Sequence, residues 1–274
     1  MLENQLAIAK IATVFNAASD HFDAPALSFW HRFGQSTVDR LSLRPGDRVL
    51  DVCCGTGASA IPAATAVGSS GQVLGIDVAE SLLQLARHKA RQQELKNVEF
   101  RWGDFENLGL ADESFDAIVC VFGIFFVPDM LAATRELWRM VRPGGKLAIT
   151  SWGKQVFEPA NQVFWQAVGA ERPDLVKKFT PWEKIDHPAA LKALLEAGGV
   201  TQVKVFVEAG THALASPEDW WTIALGGGFR GTIDQLDPAA RERVRQENLN
   251  FLQANDVHAL NVEVLYAIGE KECC

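Results

Sequence analysis

The chain of 274 residues has room for one α/β domain with an appended cap, and 48% hydrophobic with 22% charged residues excludes a disordered or fibrous protein. Its 34 acidic against 26 basic side chains give a formal charge of -8, the wrong sign for affinity built on neutralising phosphates, so nucleic acid is not an expected partner. No run reaches membrane-spanning length, and residues 1–18 lack the basic-then-apolar order of a signal peptide, which makes the cytoplasm the expected location.

Along the chain, residues 6–17 and 26–41 read as helices, forming an N-terminal lid over residues 1–42. From 48 to 152, β-rich runs alternate with helical stretches, the pattern that builds a parallel sheet flanked by helices. The expected strands are 48–52, 72–76, 98–102, 115–121 and 145–151, and the expected helices lie near 58–66, 79–92 and 129–141. Asp129 is a suitable N-cap for the last helix, Leu137, Trp138 and Val141 recur at helical spacing, and Pro143-Gly144-Gly145 reads as its stop.

A stretch bearing Pro and Trp interrupts the periodicity after Trp152. Residues 188–197 then form a helix ending at Gly198-Gly199, and 202–208 a strand. Ser216-Pro217-Glu218-Asp219 has the cap, first-turn proline and early acids of a helix start. Asp237-Pro238 opens a longer helix with Ala240, Val244 and Phe251 on one face, and 263–268 is a closing strand. The segment 216–255 is too long for a hairpin turn and is expected to cap the site, while Gly226-Gly227-Gly228 within it reads equally as a plain linker. The expected architecture is a single domain, 1–274, with a lid (1–42), a ligand-binding core (43–152) and a substrate-side region (153–274). Its fold class is α/β, a doubly wound, seven-stranded mixed sheet.

None of the five cysteines makes a C-x-x-C pair and no two histidines have zincin spacing, so neither a disulfide framework nor a metal site is expected. Cys53, Cys54 and Cys120 read as small buried hydrophobes. Cys273 and Cys274 leave room for a reactive thiol at the tail.

The chemistry concentrates where Val49-Leu50-Asp51-Val52 runs into Cys53-Cys54-Gly55-Thr56-Gly57 and a small-residue helix, an exposed turn at the carboxyl edge of the sheet, where ligands bind. Taken alone the turn also satisfies a loose dinucleotide-binding pattern, with Asp77 at the right distance for a ribose hydroxyl. Asp51 separates the readings. A phosphate site gains nothing from that charge, whereas a sulfonium and an amino group do. Asp104, directly after the third strand, can accept from an adenine amine, so Asp51, Asp77 and Asp104 stand on successive strand ends around one ligand position.

Together with Gly75-Ile76-Asp77, Gly103-Asp104-Phe105-Glu106, Ser114-Phe115-Asp116 and Arg142-Pro143-Gly144-Gly145, this turn resembles the successive motifs of the Rossmann-like S-adenosylmethionine (SAM)-dependent methyltransferases. The likeness is greatest to the ubiquinone/menaquinone-biosynthesis type and covers about residues 43–152. It implies SAM as cofactor, leaving as S-adenosylhomocysteine. It also implies that Asp51, Gly55, Thr56 and Gly57 cradle the methionine moiety, that Asp77 binds the ribose hydroxyls beside Val78, and that Asp104 and the Phe105 amide meet the adenine. Cys120 and Phe122 would line the cofactor after the fourth strand. Cys53 stands where that family commonly has glycine, and is not counted as a binding residue.

Methyl transfer needs the nucleophile in line with the methyl–sulfur bond, so positioning and exclusion of water suffice and a protein base is optional. The run 121–126 lacks the Pro-Pro-aromatic signature of nucleic-acid amino methyltransferases. Phe22, Trp30, Phe125, Trp152, Trp182, Trp220 and Trp221 are rim candidates that point to a small, partly apolar or aromatic acceptor, although aromatics at such positions also serve as core. Of His21, His31, His187 and His212, the expected general base is His31, on the lid helix; His187 directly before Pro188 fits a helix cap. An NAD-dependent oxidoreductase and a non-catalytic SAM-binding protein remain alternatives. The oligomeric state and the acceptor atom are not encoded in any motif.

Overall fold

The computed structural model describes residues 2–105, 108–176 and 180–273; Met1, Glu106 and Cys274 fall outside them. Strands β1 (Arg48–Val52), β2 (Gln72–Asp77), β3 (Val98–Trp102), β4 (Phe115–Val121), β5 (Val141–Glu158), β6 (Lys204–Ala213) and β7 (Ala259–Glu270) form one sheet in the order β3-β2-β1-β4-β5-β7-β6. The first five are mutually parallel, and β7 runs antiparallel between β5 and β6. This is the seven-stranded mixed α/β sheet expected from the sequence.

The central strands are largely apolar because both faces of a parallel sheet are covered. Alternate residues serve opposite layers: Leu50, Val52, Ile118, Cys120, Leu147 and Ile149 enter one core, while Val49, Ala117, Val119 and Ala148 enter the other. The period-2 geometry of a strand dictates this division, and each fully buried aliphatic contributes roughly 1.5–3 kcal/mol.

Helices α1 (Leu2–Ala18), α2 (Phe29–Leu41), α3 (Ala60–Val67), α4 (Glu80–Gln92) and α5 (Met130–Met140) lie close to their expected bounds. The Asp129 side chain accepts from the Ala132 amide, as its N-cap position requires. The region before α2 differs: Pro25–Leu27 forms a separate short turn.

Strand β5 is much longer than expected. Pro143-Gly144-Gly145 does not end a helix but lies within the strand, where Gly144 takes φ 75° and its amide donates to Lys271 O. Beyond Trp152 the strand continues past register shifts to pair Val156 with Val262.

The helix α6 (Ala160–Glu171) was hidden by Pro159 and Trp165. Pro159 stands just before the first turn, where proline is tolerated, and Trp165 packs against Phe164 and Phe229. Helix α7 (Pro188–Ala197) has its expected bounds; α8 (Glu218–Leu225), the short α9 (Arg230–Ile233) and α10 (Pro238–Ala254) make up the insert between β6 and β7.

Two of the motifs meet at the end of the sheet remote from the glycine turn. Asp116, at the start of β4, accepts from the Arg48 amide at 2.8 Å and forms an ion pair with Arg142. They join β1, β4 and β5 to one another and take no part in the ligand site.

Candidate active site

At the carboxyl end of β1 the backbone turns through left-handed conformations at Cys53 (φ 60°), Gly55 (φ 53°) and Gly57 (φ 83°). A side chain at Gly57 would press on Phe100 and Ile61, so this glycine serves close packing, not the ligand face. The Gly55 amide donates to Asp77 Oδ2 and the Ala79 amide to Oδ1, both at 2.8 Å. Burial holds the Asp77 carboxyl above its ordinary value, and these amides oppose the rise only in part.

Asp51 is wholly buried beneath the turn. Ser59 Oγ donates to its Oδ2 at 2.7 Å, while Oδ1 has no hydrogen-bond partner among the described residues. Burial pushes its pKa up to about 7, and the neighbouring Asp77 charge adds to the rise against the bonds from Ser59 and the Ala60 amide. A buried carboxylate with an unsatisfied oxygen is costly by itself and is a natural partner for a cation.

A large cavity opens where β1, β2 and β4 end. Of the residues proposed from sequence, Gly55, Thr56, Asp77, Val78, Asp104, Phe105 and Phe122 line it together. Asp51, Gly57 and Cys120 do not: Asp51 lies under the turn, and Cys120 is fully buried with its Sγ against Gly123. Cys53, set aside in the sequence, does line the cavity.

The lining is strongly aromatic. Phe122 stacks on Trp152 with ring centroids 4.0 Å apart, and Phe22 stacks on Trp30 at 5.2 Å. Phe125 and Trp182 complete the expected aromatics found there. Trp220 and Trp221 are instead core residues, Trp220 donating its indole N–H to Asn248 at 2.8 Å.

His31 is exposed and lines a separate, smaller pocket with Asp23, Thr56 and Lys89. Its neighbour Trp30 takes the cavity-facing place on α2, and about 100° of helical rotation per residue directs His31 elsewhere. His212 is buried with Nε2 2.8 Å from Ala26 O, His21 and His187 pair with Asp20 and Asp186, and His187 occupies the N-cap position of α7. No histidine is among the described residues lining the large cavity.

Ile8, Ile11 and Phe15 of α1 and Trp165, Gly227, Gly228 and Phe229 also line it, and sequence reasoning missed them. The first three recur at i, i+3 and i+7, a one-face signal available in the sequence. The glycines were visible but indistinguishable from a linker.

A model of the ubiE/COQ5 methyltransferase family matches residues 3–172. The chain belongs to that family. Demethylmenaquinone methyltransferases of Geobacillus and Staphylococcus epidermidis are each 34% identical to it, over 142 and 171 residues. These alignments cover 50% and 60% of this chain; the chain spans 61% of the Geobacillus protein and 69% of the Staphylococcus one. The crystal structure of a SAM-dependent methyltransferase from Aquifex aeolicus is similar with a TM-score of 0.53 and 25% identity, covering 70% of this chain and 89% of that one. With fold and family in agreement, the enzyme class is that of a SAM-dependent methyltransferase, and the oxidoreductase alternative falls away. The family match ends near the close of α6, so the insert that supplies Gly227, Gly228 and Phe229 lies beyond it.

Proposed function

We propose that the protein methylates an uncharged, flat, apolar metabolite of the quinone class in its reduced, hydroquinone form by positioning it against SAM, the proton displaced from the acceptor passing to solvent without a side-chain base. The observation that carries this is the composition of the cavity wall: Asp77 and Asp104 are the only charged side chains among the described lining residues, and the rest of the wall is dominated by aromatic and aliphatic groups. A charged acceptor would be desolvated there without a partner. The acceptor named for the two bacterial relatives, demethylmenaquinone, is of the chemical class such a wall admits.

The residues fit the cofactor. Gly55 presents backbone without a side chain, the unsatisfied Asp51 oxygen supplies negative charge below the turn, and Asp77 and Asp104 face the same cavity. In this reading Gly55 and Thr56 hold the methionine part over Asp51, Asp77 with Val78 holds the ribose, and Asp104 with Phe105 holds the adenine. Bound SAM supplies an electrophilic methyl on a sulfonium. The chain's own contribution is to align the acceptor between Phe122, Trp152 and Trp30 and to keep water out, which is where positioning catalysis draws its rate. His31, outside the cavity, has no role in this scheme.

Titration calorimetry should show binding of S-adenosylhomocysteine and none of NAD. With radiolabelled SAM and a bacterial extract, label is expected in the solvent-extractable small-molecule fraction; label confined to protein or nucleic acid would refute the acceptor class. Trp152→Ala should raise the acceptor KM about tenfold or more through loss of one stacked ring, while leaving S-adenosylhomocysteine binding within about twofold.

A further inference from the structure

The lid touches the glycine turn through one polar cluster. Thr56 Oγ1 donates to Asp23 Oδ1 at 2.7 Å, Lys89 Nζ donates to Thr56 Oγ1 at 2.8 Å, and Lys89 Nζ reaches Asp23 Oδ1 at 2.9 Å. The three residues come from three places: the segment after α1, the turn itself, and α4. Thr56 is only 1% exposed, so water does not compete freely for its hydroxyl.

Directly before Asp23 stands Phe22. A Cβ built on Gly55 would lie 3.7 Å from two atoms of the Phe22 ring, so the ring stands over Gly55 with about the room of one side-chain carbon between them. Phe22 also stacks parallel to Trp30, and both line the cavity. Other polar anchors of the lid, among them Asn16 to the Ser81 amide, Asp20 to Arg230, Thr37 to Thr150 and the Ala26 carbonyl to His212, reach other elements and do not touch the turn.

We propose that Asp23 is a positioning residue, a latch that through Thr56 and Lys89 holds Phe22 down on Gly55 and so governs how fast the cofactor enters and leaves. This inference rests on the cofactor assignment above. It goes beyond it in assigning a residue and a hydroxyl that set residence time rather than contact the reacting atoms. The bonds are charge-assisted and meet at a buried hydroxyl, although Asp23 and Lys89 themselves reach solvent, and they hold a short segment that contributes Phe22 to the cavity wall, stacked on Trp30 of α2. Opening it would uncover the turn and dismantle the Phe22–Trp30 stack in one movement.

Stopped-flow dissociation of S-adenosylhomocysteine, followed by tryptophan fluorescence with Trp30 beside the moving ring, tests this. Asp23→Ala and Thr56→Val should each speed dissociation about tenfold, and the double variant should be no faster than either single one. Thr56→Ser, which keeps the hydroxyl, should restore the wild-type rate. Melting temperatures should stay close to wild type, since Asp23 is part-exposed and does not belong to the core. Unchanged rates in Asp23→Ala, or additive effects in the double variant, would overturn the latch while leaving the cofactor site standing. Failure of the wild-type protein to bind S-adenosylhomocysteine would instead overturn the cofactor assignment on which the latch depends.

Discussion

Burial makes protonation of Asp51 easier in the folded protein than in the unfolded chain. Its folded pKa is raised to about 7 by burial, so between the ordinary carboxylate range and pH 7 the native state binds more protons than the unfolded one. Stability should therefore be greatest, for this group, at the acid end of that window and fall as pH rises through about 7. Above it Asp51→Asn should melt higher than wild type. Affinity for the cationic cofactor should behave oppositely, tightening as Asp51 ionises; Asp51→Asn should flatten that dependence and bind SAM about tenfold more weakly at pH 8, by calorimetry. Asp77→Ala removes the acceptor of the Gly55 and Ala79 amides and should weaken cofactor binding more than tenfold, whereas His31→Ala should leave it unchanged; equal losses would contradict the site. At this scale the sequence was informative where chemistry and position coincide, as with Asp77 and Asp104 on strand ends. It could not give placement where a short rotation decides it: His31 follows cavity-facing Trp30 yet lines a different pocket, and Cys120, on the strand leading to the site, is buried beneath it.

Helix α2 is seated on the turn's exit rather than beside it. A Cβ at Gly34 would stand 2.3 Å from the Ala58 carbonyl oxygen, so only glycine allows α2 to approach the backbone that leads into α3. Gly34→Val should cost roughly 1–3 kcal/mol in urea denaturation and loosen cofactor binding by displacing the chain near Ala58. The strands and helices of the core were legible because each combines apolar periodicity with a recognisable boundary, as at Asp129 before α5. Those that were not had boundaries whose meaning depends on partners distant in sequence. Gly144 looks like a stop but is paired to Lys271, and Pro159 looks like a break but precedes a first turn. Strand β5 extends past Trp152 because β7, more than a hundred residues on, offers it a neighbour.

Three regions of the chain close over one cavity: the lid through Phe15, Phe22 and Trp30, the core through the strand ends, and the insert through Gly227 and Phe229. A ligand that engages all three stabilises the whole molecule. At a hundred times its Kd, S-adenosylhomocysteine should add about 2.7 kcal/mol and raise the melting temperature by roughly 5–10 °C by scanning calorimetry. Architecture and cofactor edge were readable because they repeat a local grammar of strand, turn and helix; the acceptor wall was not, because it is assembled from segments as distant in sequence as Phe15 and Phe229. The joint between Asp116 and Arg142 has a further bearing on kinship. It lies at the other end of the sheet, away from the ligand site, so a descendant could lose Asp77 or Asp104, and its chemistry, and still keep that pair joining its strands. Motifs at that end testify to ancestry, and those around the glycine turn to whether the ancestral trade is still practised.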